Sequence, residues 1–254
     1  MILYFSGCGN SRWAAETMAQ ELNERLLFIP DVLKSTKPIS LDPDESLGLV
    51  FPVYSWAPPK IVLEMVKQLT ISGNRNPFIY MVCTCGDETG HTDKILQNAL
   101  EVNGLHLSAA YSLIMPETYI NLPGFKLDTP ENEQRKLSAA AQRLTEVLLP
   151  KIRKKCVETD LTVGTQAGFK STVVRWVFNA VLISDKPFKV HDACIGCGVC
   201  EQSCPVQNIK LKDGRPHWEH RCVGCMACYH HCPQNAIHFG KQTIGKGQYY
   251  YGHK

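Results

Sequence analysis

Four apolar runs in the first half of the chain have the length and composition of buried strands: Ile2–Phe5, Leu47–Val53, Pro77–Cys83 and Leu105–Met115. Between and after them the apolar positions recur at helical spacing, over Arg12 to about Arg25, Ile61–Leu69, Asp93–Val102 and Pro130–Leu149. Strands alternating with helices predict a parallel sheet covered on both faces. In such a fold a ligand sits beyond the strand C-terminal ends. Three loops occupy those ends: Ser6–Ser11, Pro52–Pro59 and Thr84–Gly90. Pro130 suits a first helical turn, and Pro150 is expected to end or kink the last helix. The basic run Lys151, Arg153, Lys154 and Lys155 complements that helix's C-terminal dipole.

Beyond residue 155 the pattern changes. Ser171–Ser184 is apolar around much of a helical circumference, and is expected to pack the two halves of the chain together. Ile209–Trp218 reads as a hairpin turning at Asp213-Gly214. The tail from Gly240 gives no clear pattern.

That hairpin lies between two copies of one motif, C-x2-C-x2-C-x3-C-P. The first holds Cys194, Cys197, Cys200, Cys204 and Pro205; the second, offset by 28 residues, holds Cys222, Cys225, Cys228, Cys232 and Pro233. Such a run supplies thiolates to cubane 4Fe–4S clusters, with the fourth cysteine crossing to the other cluster. One ligand set is then Cys194, Cys197, Cys200 and Cys232; the other is Cys222, Cys225, Cys228 and Cys204. Gly196 and Gly224 fall where the sharply turning chain calls for positive φ. The weighed alternatives are zinc sites or a disulfide scaffold. Four ligands close a zinc site, leaving the third CxxC step and the Cys-Pro ending without a use. Ile195, Val199 and Val223 are expected to shield the clusters. The histidines of this region, including His191, His217, His220, His230, His231 and His238, read as surface or hydrogen-bonding groups.

The first loop, Ser6-Gly7-Cys8-Gly9-Asn10-Ser11, joins a strand to a helix, the geometry that gathers N–H groups on an anion. It lacks the Walker ending and the three glycines of the dinucleotide fingerprint. It resembles instead the phosphate loop of flavodoxins, with Cys8 where Thr is usual. That resemblance implies FMN, its phosphate held by Ser6–Ser11. It places Pro52, Val53, Tyr54, Ser55 and Trp56 on one side of the ring, and Thr84, Cys85, Gly86 and Gly90 on the other. Tyr54 and Trp56 are the stacking candidates, and Tyr119 is a candidate cover for the remaining face. For Trp56 the competing reading is packing between Pro52 and Pro58. Cys83 reads as core and Cys85 as a loop residue. Asp87, Glu88 and His91 are the charged groups nearest the proposed ring, and ordinary solvated loop residues are the simpler reading.

Taken whole, the chain resembles the flavodoxin/ferredoxin fusion proteins of anaerobic bacteria. The resemblance implies an α/β, flavodoxin-like doubly wound parallel sheet of order 2-1-3-4-5 plus a small α+β two-cluster ferredoxin domain. The expected domains are residues 1–155, a connector at 156–186, the cluster module at 187–240 and a tail at 241–254. It also implies electron transfer with redox protein partners, the alternative being an FMN-dependent reductase of a small molecule.

Composition narrows this little further. With 254 residues and 44% hydrophobic content, the chain can bury one good-sized core and a smaller attachment. Residues 1–150 carry 12 Lys+Arg against 17 Asp+Glu, and residues 151–254 carry 15 against 7. The basic residues of the second half are scattered, no nucleic-acid fold signature accompanies them, and ligated clusters are themselves anionic. No secretory signal or bilayer-length apolar stretch is read, and clusters with reduced thiols point to the cytosol.

Overall fold

The computed structural model describes residues 1–35, 37–74, 76–178 and 183–252, without the side chains of residues 173, 174 and 177. Six strands form one sheet: β1 (Ile2–Tyr4), β2 (Leu26–Phe28), β3 (Leu47–Pro52), β4 (Ile79–Cys85), β5 (Leu107–Ile114) and β6 (Thr159–Asp160). Their order is β2-β1-β3-β4-β5-β6, and every pair is parallel. This α/β architecture, with its parallel central sheet, is consistent with a flavodoxin-like fold.

Alternation along each strand divides the core in two. Leu3, Phe5, Leu49, Phe51, Met81 and Cys83 face one side, with Ile61, Val62, Met65 and Leu96 of the helices Lys60–Gln68 and Thr92–Glu101. Ile2, Val50, Tyr80, Val82 and Tyr111 face the other, with Ala14, Met18 and Leu144. Burial on both faces explains why β4 is apolar almost throughout: all seven of its residues are buried.

Several elements differ from the sequence reading. The three-residue β2 and two-residue β6 are not visible as patterns, and β6 lies inside the segment expected to be a connector. Ile39–Leu41 and Ile71–Gly73 form a further two-stranded parallel ladder. Pro150 does not end its helix. The α-helix Pro130–Gln142 widens into a π-helical stretch, Arg143–Leu148, and resumes as Leu149–Arg153. A wider turn accommodates a residue that has no N–H to donate and whose ring crowds the preceding turn. Of the expected helix at 171–184, residues 179–182 lie outside the described residues. Before that gap Phe178 is buried against the Tyr119 ring, while Trp176 is 72% exposed.

The cysteine-rich segment builds two small antiparallel ladders, Phe188–Val190 with Ile237–Phe239 and Ile209–Lys212 with Arg215–Trp218. The second turns at Asp213 (φ 50°) and Gly214 (φ 73°), the left-handed pair of a tight hairpin. Gly196 and Gly224 have φ of 67° and 73°. The segment's core gathers Phe188, Ile209, Tyr229, Ile237 and Phe239 around the cysteines, and it includes Ile120 from the other half of the chain. Of the histidines read as surface or hydrogen-bonding groups, His230 and His238 are buried, and His230 hydrogen-bonds through both ring nitrogens. Ile195, expected to shield a cluster, is 65% exposed. The tail also packs: Lys246 Nζ donates to Ile120 O (2.8 Å) and Leu122 O (3.0 Å). No helix among the described residues is long and apolar enough to cross a membrane.

Candidate cofactor sites

A cavity of about 550 Å³ opens at the C-terminal ends of the sheet strands, within the range that holds a drug-sized ligand. Its walls come from five segments: all three strand-end loops, residues 116–125, and Gly224-Cys225-Met226 of the cysteine block. Lys170 and Phe178 complete it.

The first loop is tightly held. Gly9 N–H donates to Ser6 Oγ (3.1 Å), and Asn10 Nδ2 donates to Pro116 O (3.0 Å). Ser11 Oγ and Thr84 Oγ1 lie 2.7 Å apart, linking the loops after β1 and β4. The Cys8 thiol donates to Cys225 O (3.3 Å), and burial pushes its pKa well up. Gly7 packs directly on the cysteine block: a Cβ there would fall 2.6 Å from Cys225 Cβ.

In the second loop Ser55 (φ 48°) and Trp56 (φ 55°) take the left-handed conformation, uncommon for non-glycine residues. The surroundings hold them there. Ser171 Oγ donates to Trp56 O (3.1 Å). Trp56 Nε1 donates to Glu88 Oε2 (3.3 Å), which pairs with Lys170 Nζ (2.5 Å), and that ammonium lies 5.3 Å from the Trp56 ring centroid. Glu88 is therefore a fixed ion-pair member rather than a solvated loop charge. The hydrogen bond from Lys170 is the main cause holding its pKa below the usual value. Tyr54 is edge-on to Phe5 at 6.4 Å.

Of the residues proposed from the sequence, Ser6, Gly7, Cys8, Asn10, Ser11, Pro52, Val53, Tyr54, Ser55, Trp56, Thr84, Cys85 and Gly86 line this one cavity. Gly9 and Gly90 do not: Gly9 abuts Tyr251, and Gly90 packs on Trp56 and Ser171. Cys85 is buried, its thiol pushed up to about 12. Tyr119 also lines the cavity, its ring against Phe125 (5.4 Å) and Phe178 (5.7 Å).

The sequence reading missed Glu117. Its Oε1 accepts from Thr118 N (2.9 Å) and Tyr119 N (2.7 Å), and its carboxylate covers Gly86 in the cavity wall. Burial raises its pKa despite those two bonds. The only available signal was a carboxylate within the apolar stretch Leu113–Ile120. Two hydroxyls in the walls, Ser55 Oγ and Tyr119 Oη, are buried without a protein partner. Buried polar groups ordinarily have one, so these two fit a ligand carrying polar atoms.

Cys194, Cys197, Cys200 and Cys232 line one small cavity. Cys225 and Cys228 lie within electrostatic reach of Cys222 and Cys204, and Cys228 of Cys200 as well. Backbone N–H groups point at three of the sulfurs: Asn208 N to Cys204, Ala236 N to Cys232 and Gly224 N to Cys222, at 3.2, 3.2 and 3.3 Å. Such bonds stabilise thiolate ligands and tune a bound cluster. The cysteines are all free. Among the described residues, no group is arranged around a single metal ion. Eight free thiols in two C-x2-C-x2-C-x3-C-P runs are the soft donor set that cubane clusters take.

Residues 193–237 match the 4Fe-4S dicluster domain family. This segment is an iron–sulfur electron-transfer domain. No curated protein matches the chain. Among solved structures, the chain is similar to that of the Trp repressor binding protein from Bacillus subtilis. The two are 12% identical with a TM-score of 0.33, over 57% of this chain and 97% of that one.

Proposed function

We propose that this protein is an iron–sulfur flavoprotein that relays electrons between two 4Fe–4S clusters and FMN held in the 550 Å³ cavity. One observation carries the reading: the three strand-end loops and Cys225 wall the same cavity. FMN exchanges one or two electrons, so it would connect the single-electron traffic of clusters to two-electron chemistry.

The chain's own residues divide the work. Residues 6–11 would hold the phosphate, with helix N-terminal N–H groups behind them. Trp56 and Tyr119 would bracket the ring, and Ser55 Oγ and Tyr119 Oη would find their missing partners on the ligand. Cys222, Cys225, Cys228 and Cys204 would hold the near cluster. Cys194, Cys197, Cys200 and Cys232 would hold the far one, where Cys197 is exposed to a protein donor or acceptor. The two functional units are the sheet-bearing half, which extends past residue 155 to β6, and the cysteine-rich module of residues 187–240. The segment between them contributes Lys170 and Phe178 to the cavity.

Glu117 favours a second reading, a flavin-dependent reductase of a small molecule. A buried carboxyl with a raised pKa can hold a proton at the cavity wall and deliver it to a bound acceptor.

The test is metal, sulfide and flavin analysis of the anaerobically purified protein, with its visible spectrum. The expected content is about eight irons, from two four-iron clusters, and one non-covalent FMN. Zinc in place of iron removes the whole account, and iron without flavin removes the cavity half of it. Saturable, substrate-specific oxidation of the reduced flavin by one member of an acceptor panel would select the reductase.

A further inference from the structure

The last turn of the tail runs over the phosphate loop. Tyr251 N–H donates to Cys8 O (2.8 Å), and the Tyr251 ring stacks on Trp13 at 5.4 Å. A Cβ on Gly9 would fall 2.9 Å from Tyr251 Cβ, so the two backbones are in close contact. Tyr249 Oη donates to Asn10 Oδ1 (2.8 Å), while Asn10 Nδ2 is engaged by Pro116 O. The Asn10 amide is thus fixed at both ends.

The same segment is anchored on the cysteine block. Tyr249 N–H donates to His230 Nδ1 (3.2 Å), so the proton of that ring lies on Nε2, which donates to Thr118 O (2.8 Å). Gln248 Nε2 donates to Tyr229 O (2.6 Å) and Cys232 O (2.7 Å). The Tyr229 hydroxyl in turn faces the carbonyls of Thr243, Lys246 and Gly247, with its single proton to donate among them.

We propose that Tyr249 and Tyr251 are positioning residues of the flavin phosphate site, holding loop 6–11 in its anion-binding shape and tying it to the cluster-bearing segment. The inference rests on the FMN reading of the cavity. Its physical basis is that a loop gathering N–H groups on an anion must keep its carbonyls turned away. The Cys8 carbonyl is held by Tyr251 N–H, and the Asn10 side chain by Tyr249 Oη. With the tail in place, the loop meets the phosphate already ordered, and less conformational freedom is lost on binding.

The experiment uses the full-length, anaerobically purified protein with both clusters, stripped of flavin and titrated separately with FMN and riboflavin. Iron content is measured first for every variant. Loss of one hydrogen bond or ring contact, in Tyr249→Phe or Tyr251→Ala, is expected to raise the FMN Kd about fivefold. A chain ending at Gln248 loses these contacts together and is expected to raise it at least about tenfold. Riboflavin, which has no phosphate, should bind all of them as it binds the parent. An unchanged FMN Kd overturns the inference, as does equal weakening of both flavins, which would mean a general loosening of the cavity. If the shortened chain loses iron, the two point variants decide. A parent protein that takes up no FMN defeats the flavin reading itself and this inference with it. Uptake by the parent with unaffected variants defeats this inference alone.

Discussion

Glu117 is a carboxyl that the fold buries in a cavity wall at a cost. Its carboxyl accepts two backbone N–H groups, yet burial raises its pKa. An acid whose folded pKa lies above its unfolded one contributes stability fully below the unfolded value and loses it as pH rises through the folded value. At neutral pH the charge is therefore a burden on the folded state. Glu117→Gln keeps an oxygen for the same two N–H groups and removes that burden. Its thermal midpoint at pH 7 is expected to exceed the parent's. The difference should close as pH falls below about 4, where the unfolded carboxyl is neutral too. Melts at both pH values check this, and a variant less stable at pH 7 would show that the charge is needed in place. Nothing in the sequence marks this residue, because a carboxylate's burial is decided by chain segments far away, here the loop at Gly86.

Elements were legible where they are long or chemically marked. The runs that became β3, β4 and β5 are six to eight residues, enough for a buried strand to announce itself. The edge strands β2 and β6 are too short to show a period, and they are completed by pairing with neighbours. The widened turn before Pro150 is equally hidden, since it is the packing of Leu144, Leu148, Leu149 and Ile152 that carries the helix past the proline. The hairpin at Asp213-Gly214 was legible because its chemistry is local. That makes its energetics separable. A Cβ on Gly214 meets nothing within 4 Å, so Gly214→Ala should cost only the left-handed backbone term, about 1–2 kcal/mol. Gly196 has a similar φ, but its Cβ would fall 2.7 Å from Gly214 O, so Gly196→Ala should cost distinctly more. Denaturation of the two variants under anaerobic conditions tests the ordering, and equal losses would refute it.

For the molecule as a whole, the cysteine spacing implied two ligand sets but not which of them lies beside the cavity. Which cluster lies next to the cavity depends on how the second motif docks against Gly7 and Cys8, a contact between residues more than two hundred positions apart. The tail's place over residues 6–11 is equally long-range. The proposed arrangement has a direction: exposed Cys197 at one end, Cys225 in the cavity wall at the other. Removing a ligand from the far set should therefore separate functions that removal from the near set would not. Cys200→Ala is expected to lower iron from about eight atoms to about four, since each cluster holds four. FMN should remain bound, because Cys200 does not line the cavity. Reduction of the flavin by a protein donor should slow far more than reduction by a small one-electron reductant, which needs no docking at Cys197. Stopped-flow bleaching of the flavin with each type of donor reads this out. Loss of flavin together with the far cluster, or equal slowing with both donors, would mean that electrons do not enter at the Cys197 end.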